Sequence, residues 1–151
     1  MNYEDMYNFL LAKQADAVVG AIELPLAEAS RFGVIGVDED CRILRFDEKP
    51  EHPSPIPSDP TQAFVSMGIY LFRSEVIREH LAEDAGKDTS HDFGRNIVPR
   101  MIGKSRVFAF KFQDENRKAV KYWRDIGTLD AYWEANMDLV EIGRASCRER
   151  V

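Results

Sequence analysis

Five of the chain's seven prolines fall between Pro50 and Pro60. Proline fixes φ and removes a backbone donor, so a stretch this dense cannot be helix or central strand and is expected to be an extended loop of restricted conformations, a candidate lid. It divides the chain into blocks that can be read separately. Before it, Tyr3 to Ala15 sets Met6, Phe9, Leu10 and Lys13 near helical spacing, and Ala17 to Ile22 is a short apolar run of buried-strand type. Leu26 to Arg31 suits a helical turn. Gly33 to Val37 and Ile43 to Phe46 read as a hairpin about the acidic turn Asp38 Glu39 Asp40. After the loop, Ala63 to Phe72 returns to strand character. Ser74 is the expected N-cap of a helix running to about Leu81, Asp92 to Ile102 reads as a second helix despite Pro99, and Val107 to Phe112 alternates as a half-buried strand. A last helix is expected from about Leu129 to Leu139, capped by Thr128. Strands alternating with helices point to a layered α/β domain.

At 151 residues with 44% hydrophobic and 30% charged residues, the chain has room for one domain with a true core. A net charge of -6 leaves no basic stripe for nucleic acid, although one lysine or arginine can still bind one phosphate. Two cysteines, Cys41 and Cys147, are no disulfide framework. Neither a membrane-spanning apolar run nor a signal-peptide core is visible, which suggests a reduced, cytoplasmic protein with no membrane partner.

The last eleven residues, 141–151, lack apolar periodicity, and Gly143 is expected to end the preceding helix. Their order matches the in-frame translation of a sequencing-library adapter. The expected organisation is therefore a domain over 1–140 and a non-native tail over 141–151.

Two short runs flank the proline loop. Phe46 Asp47 Glu48 Lys49 Pro50 puts a carboxylate and an ammonium at its mouth, and Ser66 Met67 Gly68 Ile69 Tyr70 opens the next strand with a hydroxyl and a glycine. An acceptor, a cation and a hydroxyl converging where a glycine leaves room suit a phosphorylated sugar. Farther on, Tyr122 Trp123 Arg124 Asp125 Ile126 Gly127 Thr128 places a carboxylate beside an aromatic just before a helix, a station for a metal bound to phosphates. Taken singly these signals are weak. A Glu-Lys-Pro triplet is commonly a solvated turn, and Tyr122, Trp123, Tyr132 and Trp133 read equally as core aromatics. His52, His80 and His91 lack metal-ligand spacing. There is no Gly-rich phosphate loop and no nucleophile elbow.

Taken together and in order, these runs, with Glu28 Ala29 Ser30 Arg31 Phe32 Gly33 Val34 before them and Ser90 His91 Asp92 Phe93 Gly94 between, resemble bacterial glucose-1-phosphate adenylyltransferases over residues 1 to about 140. The resemblance implies a three-layer, Rossmann-like nucleotidyltransferase fold on a mixed sheet, incomplete in this chain. It implies an enzyme making ADP-glucose and pyrophosphate from ATP and α-D-glucose 1-phosphate, for glycogen synthesis, as a homo-oligomer, in that family a tetramer. Gly33, Glu48, Lys49, Ser66 and Trp123 then fall on glucose 1-phosphate positions, and Asp125 on the catalytic carboxylate that binds Mg²⁺. The family's Gly-rich nucleotide loop and its Gly-Asp-His are not found in this sequence, nor is its C-terminal β-helix, so a fragment inactive alone is expected. Two alternatives stand beside this reading: a relative using UTP, dTTP or GTP, and a non-catalytic regulatory subunit that binds sugar phosphate.

Overall fold

The computed structural model describes residues 2–112 and 123–148, with side chains to Val140. It forms two compact units, 1–113 and 114–151. In the first, the element order is α1 (Tyr3–Ala12), β1 (Ala17–Pro25), α2 (Leu26–Ala29), β2 (Gly33–Val37), β3 (Ile43–Glu48), β4 (Gln62–Phe72), α3 (Ser74–Ala85), a π-helical turn (Phe93–Ile97), α4 (Val98–Ile102) and β5 (Val107–Lys111). The second contains α5 (Leu129–Arg148).

The five strands make one mixed sheet in the order β3-β2-β4-β1-β5. β1 is antiparallel to β4 and parallel to β5, and β2 and β3 form the expected antiparallel hairpin. Its tip closes on the far edge strand, where the Ala109 amide donates to the Cys41 carbonyl at 2.9 Å. Side chains alternate across the pleat, so β1, β4 and β5 each feed two cores. Ala17, Val19, Ala21, Phe64, Val107 and Ala109 pack with Ile97, Val98 and Met101 on one face. Val18, Phe108, Ile69 and Leu71 pack with Met6, Leu10 and Phe9 of α1 on the other. Helices on both faces give the three layers, and each fully buried large apolar side chain contributes roughly 1.5–3 kcal/mol.

The proline-dense loop carries only one isolated bridge, Ile56 to Asp59. Ile56 is nevertheless buried in the first core, and its amide donates to the Gln62 carbonyl at 2.8 Å. The loop is pinned at its middle, which opposes its moving as one lid.

Several helix boundaries differ from expectation, among them the end of α3, which runs to Ala85 rather than about Leu81. Ser74 is the first residue of α3 rather than its cap; its hydroxyl donates to the Glu75 carboxylate at 2.9 Å, and Arg73 holds the N-cap position. The segment after Asp92 is not one α-helix. Its first turn is π-helical, with the Ile97 amide reaching the Asp92 carbonyl at 3.2 Å, and Pro99 enters only in the first turn of α4, where a missing amide proton costs little. Gly143 does not end the last helix, which continues to Arg148. A glycine inside a helix costs about 1 kcal/mol relative to alanine and weakens it without stopping it. Thr128 caps α5 as expected, its hydroxyl accepting from the Ala131 amide at 3.2 Å. Among the described residues no helix is long and apolar enough to cross a membrane.

Candidate functional site: a sugar-phosphate face on the sheet

The end of β3 and the start of β2 build one side of the site. Gly33 pairs with Glu48, and Phe46, two residues earlier on the same face of β3, lies beside it. A Cβ on Gly33 would stand 2.7 Å from Phe46 Cζ and 3.1 Å from Glu48 Oε2. A Cβ on Gly94, in the π-helical turn, would stand 3.0 Å from the same Glu48 oxygen. Two glycines from separate elements thus clear the space that one carboxylate occupies, which fixes Glu48 more tightly than a surface glutamate. The space on Gly33 is filled by Phe46 and Glu48, so its local task is to admit them.

Lys49 follows in the left-handed region, φ 51°, with its amide donating to the Phe32 carbonyl at 3.0 Å. Its ammonium lies 3.8 Å from Glu48 Oε1 and is largely exposed. Such a pair holds the lysine weakly, about 0–1 kcal/mol, so a phosphate can compete for it.

β4 supplies the other side through an irregularity in its pairing with β1. Ala21 faces Ser66 but Val19 faces Tyr70, so β4 carries extra residues around Gly68, whose φ is +70°. Ser66 Oγ accepts from the Gly68 amide at 3.2 Å and lies 3.4 Å from Tyr70 Oη. Burial pushes the Tyr70 phenol above its ordinary pKa; the Ser66 hydrogen bond opposes this, and the carboxylates of Glu48 and then Asp92 add to it. The phenol therefore stays neutral at physiological pH, beside the Ser66 hydroxyl. Its ring stacks on Phe93 at 5.8 Å and 21°, and on Phe72 at 5.8 Å and 20°. Asp92 caps the π-helical turn, accepting from the Arg95 amide at 2.8 Å.

The first unit thus brings together Gly33, Glu48, Lys49 and Ser66, and adds four residues to which sequence reasoning gave no role: Tyr70, Asp92, Phe93 and Gly94. The available signal was Gly68, a glycine inside a strand pattern, which marks a bulge that re-aims its neighbours. Carboxylate acceptors, hydroxyls, an aromatic platform and one loosely held ammonium are the groups a polyol bearing an anion requires.

Trp123 and Asp125 belong to the second unit, and Tyr122 lies outside the described residues. Arg124 is drawn onto α5, its guanidinium 2.7 Å from Glu134 and 2.6 Å from Asp138. Asp125 is exposed at the helix entry, and a Cβ on Gly127 would stand 3.1 Å from its Oδ2. Tyr132 and Trp133 are exposed within this unit, so neither is a core aromatic there. Among the described residues no three or more His, Cys, Asp or Glu gather as a metal-binding group. Mg²⁺ keeps several waters and takes only one or two protein carboxylates beside substrate phosphates, so a single Asp such as Asp125 fits part of such a site.

Comparison with known proteins agrees with the motif reading. The chain is 54% identical over 143 residues to a glucose-1-phosphate adenylyltransferase of Rhodopirellula baltica, covering 94% of this chain and 32% of that protein. It is 48% identical to one of Paramagnetospirillum magneticum, covering 94% of this chain and 34% of that protein. Glucose-1-phosphate adenylyltransferase 1 of Vibrio vulnificus is 49% identical, with 93% of this chain and 36% of that protein covered. The chain spans about a third of the length of these curated relatives. The family profile for nucleotidyl transferases matches residues 1–142. On that match, and on the three-layer α/β architecture that carries it, the chain belongs to the nucleotidyl transferase family.

Proposed function

We propose that this chain is the sugar-phosphate-binding part of an adenylyltransferase that joins ATP and glucose 1-phosphate into ADP-glucose and pyrophosphate, supplying glucosyl units for glycogen. The observation that carries this reading is the Glu48 carboxylate held between Gly33 and Gly94, beside Lys49 and the Ser66–Tyr70 pair. The close similarity to proteins of that name supports the choice of nucleotide and sugar.

In this reading Glu48 and Asp92 accept hydrogen bonds from sugar hydroxyls, Ser66 and Tyr70 add hydroxyl contacts, and Phe93 offers an apolar face to the ring. Lys49 exchanges its loose contact with Glu48 for the substrate phosphate. These contacts orient a phosphate oxygen for attack on the α-phosphorus of ATP; the new P–O bond forms as the bond to pyrophosphate breaks. Such displacements depend on positioning and charge stabilisation more than on covalent chemistry by the protein. Asp125 would hold Mg²⁺, which when bound neutralises charge on the phosphates. The working enzyme is a homo-oligomer in the cytoplasm.

Calorimetric titration of the 151-residue chain with glucose 1-phosphate tests the reading. Saturable binding is expected, weakened about 10- to 100-fold by Lys49→Ala, since a hydrogen bond to a charged group contributes roughly 1.5–3 kcal/mol. Absence of binding, or equal affinity in Lys49→Ala and Glu48→Gln, overturns it.

A further inference from the structure

We propose that Asp84 and His91 form a latch that positions the Asp92–Phe93–Gly94 wall against Glu48 and Tyr70. Asp84, in the last turn of α3, is 2% exposed, and its carboxylate gathers three separate segments. Oδ2 lies 2.7 Å from His91 Nδ1, Thr89 Oγ1 donates to both oxygens at 3.1 and 3.0 Å, and the Arg100 guanidinium of α4 donates to Oδ1.

The hydrogen bond to His91 does more than satisfy a buried acceptor. His91 has φ 54°, a left-handed conformation that a residue with a Cβ adopts only when its surroundings hold it there. The Nδ1 contact and the donation from the His91 amide to Thr89 Oγ1 at 3.2 Å supply that hold. Asp92 follows in extended conformation, its amide donating to Asn96 Oδ1 at 3.0 Å, and the π-helical turn starts on its carbonyl. Phe93 then reaches the Tyr70 ring, and Gly94 reaches Glu48. Asp84 touches none of the proposed ligand groups. It acts through His91, on whose backbone angle the direction of the next three residues depends. The His91 side chain is 56% exposed and borders a cavity of about 370 Å³ with Leu81, Ala85 and Ile97, so its removal enlarges an open space and leaves both cores intact.

The latch rests on the proposed sugar-phosphate site for its functional consequence, and two readouts separate the two ideas. In the 151-residue chain, hydrogen exchange at the Arg95 and Ile97 amides reports the turn without ligand, and titration with glucose 1-phosphate reports the site. His91→Ala is expected to speed exchange at both amides at least about 10-fold relative to β1 amides and to weaken binding at least about 5-fold. His91→Asn, whose side chain tolerates left-handed angles and can donate to Asp84, is expected to recover most of both effects. Exchange and affinity within about twofold of the parent in His91→Ala overturn the latch, as does a His91→Asn variant no better than His91→Ala. If the parent chain binds no glucose 1-phosphate, the functional reading falls while the exchange data still decide the latch.

Discussion

Gly33→Ala places one methyl group where the structure has no room for it. The new carbon would stand 2.7 and 2.9 Å from two atoms of the Phe46 ring, and that ring is only 7% exposed and confined by the core. Overpacking of this kind costs about 1–3 kcal/mol. Alanine in a strand recovers roughly 0.5–1 kcal/mol of backbone entropy, leaving a net loss of about 1.5 kcal/mol. With a urea slope of about 2 kcal/mol/M, the midpoint should fall by about 0.75 M. Urea unfolding followed by circular dichroism measures this, and Gly86→Ala, where nothing lies within 4 Å, serves as the control, expected neutral or slightly stabilising. Phe46→Leu removes the ring that the methyl meets, so the double variant should be at least ~1 kcal/mol more stable than the two single losses added together. Additivity to within about 0.5 kcal/mol, or a Gly33→Ala chain as stable as the parent, would show that Gly33 is not there to admit Phe46.

Three further outcomes are expected. With this segment grafted into a full-length relative, Asp125→Asn should lower kcat at least about 100-fold with little change in KM for glucose 1-phosphate and partial recovery in Mn²⁺; an unchanged kcat returns Asp125 to a helix-entry carboxylate. Asp84 is held below the usual carboxylate range chiefly by the His91 hydrogen bond, against burial, with Thr89 and Arg100 adding, so its contribution to stability is complete above about pH 4 and fades as pH falls through the lowered value; the gap in Tm between the parent and Asp84→Asn should narrow from pH 7 to pH 3, and an equal gap at both refutes this. A chain ending at Val140 should match the parent's stability to within about 0.5 kcal/mol, and a loss above about 1 kcal/mol would show that residues 141–151 pack.

Where local chemistry decides the structure, the sequence was readable. The spacing of Met6, Phe9 and Leu10 marks the buried stripe of α1, and the unbroken apolar run from Ala17 to Ile22 marks a strand buried on both faces; β5, expected to be half-buried, is instead buried at Val107, Phe108 and Ala109 because it too feeds both cores. The proline cluster marks a loop because proline is itself the constraint. Features set by tertiary contact were not readable. The π-helical turn forms where Phe93 finds the Tyr70 and Phe72 rings, and no periodicity in residues 92–102 announces it. Ser74 has the chemistry of an N-cap, yet its hydroxyl finds Glu75 and the helix begins one residue earlier than that chemistry suggests. At the site, Glu48, Lys49 and Ser66 were singled out from short runs. The partners that hold them, Tyr70 and the Asp92–Gly94 turn, reach them across the fold, so spacing along the chain could not reveal the association.

The strand order also sets a timetable for folding. The β2–β3 hairpin can close as soon as Glu48 has left the ribosome, because both its partners are near in sequence. β1 is made earlier but completed last. It sits between β4 and β5, and Ala17 must wait for Phe72 on one side and Val107 on the other. During that interval an apolar strand from Ala17 to Ile22 has both edges open, and such long-range closure is the slow step of a sheet like this one. The Glu48 carboxylate is then already in place on the hairpin, which joins the sheet only when β4 arrives to pair with β2, while β1 is the segment most exposed to pairing with another copy.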